Sequence, residues 1–125
     1  MKKLIALSLT LVATSAFASE KLTCLGPKDE GLGLQNKITI VDSADGKSAM
    51  ITALMIVDGE EKVMCGPDTY KRDATGNTVS YSGKANCVDS SGGDETFHYD
   101  SAKKSLDTGI TYDCTVQNSV QHSAQ

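Results

Sequence analysis

The run from Ser48 to Val57, Ser-Ala-Met-Ile-Thr-Ala-Leu-Met-Ile-Val, lies between two Asp-Gly pairs, Asp45-Gly46 and Asp58-Gly59. It is the longest apolar stretch after the first eighteen residues. Asp-Gly supplies the positive φ that tight hairpin turns need, so an apolar run with Asp-Gly on both sides reads as one strand shared by two hairpins. Such a strand commits its neighbours to an antiparallel sheet, and it is the spine around which the rest of the chain is read.

The turn type decides which face of the spine is inside. A two-residue turn at Asp45-Gly46 pairs Ile40 with Ile51 and Ile38 with Ala53; a three-residue loop with a left-handed Gly46 bulge pairs Ile40 with Met50 and Ile38 with Thr52. A two-residue turn at Asp58-Gly59 places Leu54 opposite Val63, Met55 opposite Lys62, Val57 opposite Glu60 and Thr52 opposite Cys65. Consistency between the hairpins favours the bulged first turn, with Met50, Thr52, Leu54, Ile56, Val63 and Cys65 facing the core. The opposite face, Ala49, Ile51, Ala53, Met55, Val57 and Met64, is also apolar, where a one-sided sheet should alternate. Either a further layer of the domain covers it, or Ile51, Ala53, Met55, Val57 and Met64 form a binding face for a ligand, a partner or a second copy.

The flanking chain reads as more short strands. Residues 21–25 form a first strand that Gly26-Pro27 ends, and residues 37–41 lead into the spine. Gly66-Pro67-Asp68 breaks the chain after Cys65, leaving residues 70–76 as a polar exposed loop. Residues 78–81 turn Val79 and Tyr81 inward, Ser82-Gly83-Lys84 reads as a bulge, and Ala85 and Cys87 share a face. Residues 95–100 turn Phe97 and Tyr99 inward. In the last strand Leu106, Ile110, Tyr112, Cys114 and Val116 share one parity, and residues 117–125 read as a frayed tail. Two short echoes, Cys24-Leu25-Gly26-Pro27 with Cys65-Gly66-Pro67 and Asp42-Ser43-Ala44 with Asp100-Ser101-Ala102, read as reused turn chemistry. No helical periodicity is present. The expectation is a small, disulfide-bridged antiparallel β-barrel or sandwich of seven to eight strands with meander connections.

The compartment is read from the N-terminus. Met1-Lys2-Lys3 is a basic start, residues 4–13 are an uncharged apolar stretch, and Ala16-Phe17-Ala18 is a small-x-small cleavage site. Residues 1–18 are therefore expected to be a secretory signal peptide, and the stretch is too short to span a bilayer. Thr23 and Lys21 before Cys24 do not suit a lipid-modified cysteine. Residues 19–125 are expected to form one domain, delivered to the periplasm or outside the cell, with no membrane insertion.

Sixteen Asp/Glu face twelve Lys/Arg in the whole chain, and loss of Lys2 and Lys3 moves the formal charge from −4 to −6. That balance disfavours nucleic acid as a partner. Cys24, Cys65, Cys87 and Cys114 are even in number, and their spacings of 41, 22 and 27 are too wide for the usual zinc knuckles. Two structural disulfides are expected. Four cysteines allow three pairings; the arrangement that joins the terminal strands, Cys24 with Cys114, leaves Cys65 for Cys87.

Catalytic signatures are sparse. His98 lies between two inward aromatics and so points outward, and His122 sits in the tail. The Asp89-Ser-Ser-Gly-Gly-Asp94-Glu95 loop is acidic but fits no calcium-loop pattern. No serine sits in a nucleophile motif. No enzyme, cofactor or metal site is expected. Tyr70, Lys71 and Arg72, which include the chain's only arginine, could form an inhibitory loop if displayed on a rigid frame. The layout of signal peptide, about a hundred residues, β strands and two bridges is similar in outline to small periplasmic lysozyme-inhibitor families; the resemblance covers the layout alone, and Tyr81-Ser82-Gly83-Lys84 is no more than a faint echo of their inhibitory-loop motif. The expected function is a non-enzymatic protein- or ligand-binding module, with a protein partner or a homodimer; the alternative is a lysozyme- or protease-inhibitor-like inhibitor of a secreted hydrolase.

Overall fold

The structure is a computed structural model that describes residues 20–88 and 91–118. The signal-peptide segment, Asp89 and His122 lie outside the described residues. The described chain forms eight antiparallel strands: β1 (Glu20–Asp29), β2 (Leu34–Asp42), β3 (Ser48–Val57), β4 (Glu60–Thr75), β5 (Thr78–Asn86), β6 (Ser91–Asp100), β7 (Ser105–Asp107) and β8 (Thr111–Asn118). Each pairs with the next, and β8 returns to pair with β1, so the sheet closes into a barrel with meander connections. Eight strands enclose a space just wide enough for side chains to fill. Leu22, Ile40, Tyr81 and Leu106 fill it here, all almost fully buried.

Both disulfides are formed, compatible with an oxidising, exported environment. Cys24 lies directly opposite Cys114 on the closing β1–β8 seam, and the bond joins them there. Cys65 of β4 is bonded to Cys87, the residue after β5.

The spine, β3, turns the other way from the sequence reading. Ile40 lies opposite Ile51 and Ile38 opposite Ala53, the unbulged register. The loop closes where the Ser43 N–H donates to the Ser48 carbonyl at 2.9 Å, with Gly46 at a φ of 74°. The second hairpin has the expected pairs Leu54–Val63, Met55–Lys62 and Val57–Glu60. Cys65, however, faces Ala53 and not Thr52. The two hairpins are reconciled inside β4, which carries an extra residue at Met64 and another at Gly66-Pro67. The bulge lies there and not at the first turn. As a result Ala49 and Ile51 are core residues and Ala53 packs against them. Met50 and Val63, assigned to the core from the sequence, are 42% and 48% exposed.

The same device corrects both Gly-Pro readings. β1 runs through Gly26-Pro27 with a register shift between Leu25 and Lys28, and β4 runs through Gly66-Pro67, whose peptide bond is cis. Tyr70, Lys71 and Arg72 are therefore strand residues and not a displayed loop. Tyr70 is 2% exposed, and Arg72 turns inward because Asp42 neutralises it, Nε to Oδ2 at 3.1 Å. Gly83 pairs regularly with Glu95, and the irregularity of β5 falls after Lys84. Ile110 and Val116 are exposed, outside the core their parity suggested. Gln117 and Asn118 belong to β8, paired with Lys21 and Glu20.

Candidate functional site

In a closed meander the connections alternate between the two barrel ends. One end carries the β2–β3, β4–β5 and β6–β7 turns together with the start of β1 and the end of β8. It is closed by a polar plug. Tyr81 Oη donates to Asp42 Oδ1 at 3.2 Å, Arg72 pairs with Asp42, and Arg72 Nη1 donates to the Gly46 carbonyl at 3.1 Å. Burial, with the Asp42 charge, raises the pKa of the Tyr81 hydroxyl well above its ordinary value.

The other end carries the β1–β2, β3–β4, β5–β6 and β7–β8 connections and is open. A cavity of about 210 Å³ lies inside it, walled by Ile38, Ile51, Ala53, Phe97 and Tyr112 and holding the carboxylates of Asp68 and Glu95. Exposed apolar residues stand on three of the four connections at this end: Leu32, Val88 and Ile110. Met55 lines a separate cavity of about 170 Å³ with Pro27, Leu34 and Asn36.

The cavity owes its shape to Gly83. Tyr70 on β4 points inward, and β5 separates it from Phe97 on β6. Because Gly83 has no side chain, the Tyr70 ring lies across β5 and stacks on Phe97, with centroids 5.6 Å apart and planes at 21°. A Cβ on Gly83 would meet that ring at 2.8 Å. From there Tyr70 Oη donates to Glu95 Oε1 at 3.0 Å. Burial raises the Tyr70 pKa most, followed by the Glu95 bond and the charges of Glu95 and Asp68. Asp68 takes a fork from one residue: Asn86 N–H donates to Oδ2 and Asn86 Nδ2 to Oδ1, each at 2.9 Å. Among the described residues the ion pairs are Lys37–Glu61 and Arg72–Asp42, so neither cavity carboxylate has a cationic partner there.

The binding face proposed from the sequence is thus turned inward. Ile51 and Ala53 line the open-end cavity, Met55 lines its own, and Val57 and Met64 are half-buried. Tyr70 joins this site, while Arg72 is locked into the opposite end and Lys71 is exposed. Asp68, Glu95 and Tyr112 also line the site; sequence reading placed them in a chain break, an acidic loop and the last strand, and did not bring them together. Period-two parity carries the signal for two of them, since Glu95 shares a strand face with Phe97 and Asp68 with Tyr70. His98 is exposed and shares a hydrogen bond with Ser80 at 3.2 Å. Among the described residues no three His, Cys, Asp or Glu gather closely enough to hold a metal ion, and no helix there is long and apolar enough to cross a membrane.

The outer surface of β2, β3 and β4 presents the stripe displaced from the core. Val41 and Met50 face each other there and are exposed, as is Val63 opposite half-buried Leu54. Comparison with known proteins yields no match to this chain among protein-family models, curated proteins or solved structures.

Proposed function

We propose that this chain is an exported, non-enzymatic binding domain that engages a protein partner at the open end of the barrel. The observation that carries the reading is the contrast in lining between the two ends: at one, a buried polar plug and a largely polar cavity of about 430 Å³ lined by Thr78, His98, Asp100, Lys103 and Ser105, and at the other a cavity with apolar walls and exposed apolar residues around it. At about 210 Å³ the cavity is smaller than the roughly 300–1,000 Å³ of ordinary small-molecule sites, which favours an inserted side chain over a whole free ligand. Exposed Leu32, Val88 and Ile110 supply the apolar contact that a protein surface would cover. Export through the N-terminal leader agrees with the two disulfides. Solvation outside a membrane agrees with apolar side chains inside and Lys71, Asp73, Lys84 and Asp113 exposed, the reverse of a membrane-spanning barrel.

The test is positional photo-crosslinking in the exporting cell. A photo-reactive residue at Leu32 or Ile110 is expected to give a discrete protein adduct, and one at Asn77 or Ser101 at the closed end none. Adducts from the closed end alone would refute the reading.

A second reading rests on the outer stripe of Val41, Met50 and Val63, which suits pairing of two copies. Sedimentation of a dimer that Met50→Lys dissociates would support it; a monomer at all concentrations would dismiss it.

A further inference from the structure

We infer that the open-end cavity is a socket for a lysine side chain of the partner protein, its aliphatic stem against Ile51, Ala53 and Phe97 and its ammonium at Glu95 and Asp68. This deepens the open-end reading and rests on it.

Three features argue for that occupant. First, the site is amphipathic in the sense a lysine is: an apolar wall with carboxylates, matching a methylene stem with a charged tip. Second, the site is acidic. Neither Asp68 nor Glu95 is ion-paired among the described residues, and the chain without its leader carries a formal −6. A cation arriving there replaces lost hydration with carboxylate oxygens, beside the stacked Tyr70–Phe97 pair. A carboxylate or a neutral apolar group would instead be repelled by the acids or leave them unpaired.

Third, the geometry separates lysine from arginine. A guanidinium binds best to a carboxylate that offers both oxygens side by side. Both oxygens of Asp68 already face the Asn86 fork, and Oε1 of Glu95 already accepts from Tyr70. Lone pairs remain on both carboxylates, and a compact ammonium with three rotatable donors can meet them from more directions than a planar fork.

The experiment is an NMR titration of the Tyr70 and Phe97 ring signals in the leaderless protein. The probes are a capped lysine (N-acetyl-lysine methylamide), n-butylammonium, n-butylguanidinium and n-butanol. Capped lysine and n-butylammonium are expected to give the same saturable shifts, n-butylguanidinium weaker binding, and n-butanol none. Glu95→Gln, with its fold checked by circular dichroism, is expected to weaken lysine binding about tenfold, the equivalent of one charge-assisted hydrogen bond. Asp68→Asn provides the second variant. Equal binding of n-butanol, or no loss in either variant, overturns the charge assignment. Binding of n-butylammonium far tighter than capped lysine assigns the socket to a free amine and overturns the partner lysine. No shift with any probe overturns the socket, while persistence of the Leu32 and Ile110 crosslinks would leave the open-end reading standing alone.

Discussion

Gly83 and Tyr70 are in contact across the β4–β5 ladder, the ring of Tyr70 lying where a Cβ of residue 83 would be, at 2.8 Å. The ring also stacks on Phe97 and donates to Glu95, so moving it disturbs both contacts. Gly83→Ala is therefore expected to destabilise the protein by about 1–3 kcal/mol, the usual cost of overpacking, and to move the ring signals of Tyr70 and Phe97. Urea unfolding and NMR of the variant test both; a change under about 0.5 kcal/mol with unmoved signals would show that the contact has room to relax.

Gly66 is a harder case. Its φ is 89°, and a Cβ would lie 2.6 Å from the Ile51 carbonyl oxygen, which is backbone. Gly66→Ala combines a disfavoured dihedral with a clash that no side chain can relieve. It is expected to be more destabilising than Gly83→Ala in the same denaturation assay, and the reverse order would contradict this account of the β4 bulge.

The plug at the closed end should behave as a charge pair removed from water. Arg72→Met removes the guanidinium paired with the buried Asp42 carboxylate and is expected to cost about 3 kcal/mol. Adding Asp42→Asn removes the buried negative charge and should restore part of the loss. Thermal melts of the two variants decide it, and a double variant less stable than Arg72→Met would speak against a buried ion pair.

Alkali should unfold the protein through its tyrosines. Tyr70, Tyr81 and Tyr112 all hold their protons above the ordinary pKa of 10.0, chiefly because of burial. Above that pH the unfolded chain loses protons that the folded chain keeps, so the unfolded state binds fewer and stability falls as pH rises. Their contribution is intact below pH 10 and declines steadily above it. Urea midpoints measured through that range, beside tyrosinate absorbance, test the sign; a midpoint constant well above pH 10 would contradict it.

The two disulfides should separate by both loop size and access. They close 90 and 22 residues, for which chain entropy gives about 4.6 and 3.4 kcal/mol. Cys24 and Cys114 are buried, whereas Cys65 and Cys87 are half-buried. Mild thiol reductant followed by alkylation and mass spectrometry is expected to label Cys65 and Cys87 first. Paired Cys→Ala replacement at 24 and 114 is expected to cost more than the same replacement at 65 and 87.

What the sequence discloses of this fold depends on how regular the ladder is. Strands such as β6 are legible because Phe97 and Tyr99 alternate with polar neighbours, and the Asp58-Gly59 turn states its own register. The face of β3 is not legible, because both its faces are apolar and only pairing distinguishes them. That pairing depends on where β4 accommodates Met64 and Gly66-Pro67, and an extra residue inside a strand has no composition that separates it from a break. The site inherits the same blindness: Ile51 and Ala53 stand out as an unexplained apolar face, but their direction follows from the bulge. Arg72 appears available in the sequence only because Asp42, thirty positions earlier, is not visibly its partner.

Glu20 and Asn118 are ladder neighbours beside the Cys24–Cys114 seam, at the end of the barrel remote from the cavity. The domain is consequently suited to tethering: a fusion, a surface anchor or an immobilising tag joined at Glu20 or Asn118 attaches on the side away from the mouth. The two attachment points are also close enough to be linked to each other, so a circularly permuted version could be opened at the β2–β3 turn and leave the mouth uninterrupted.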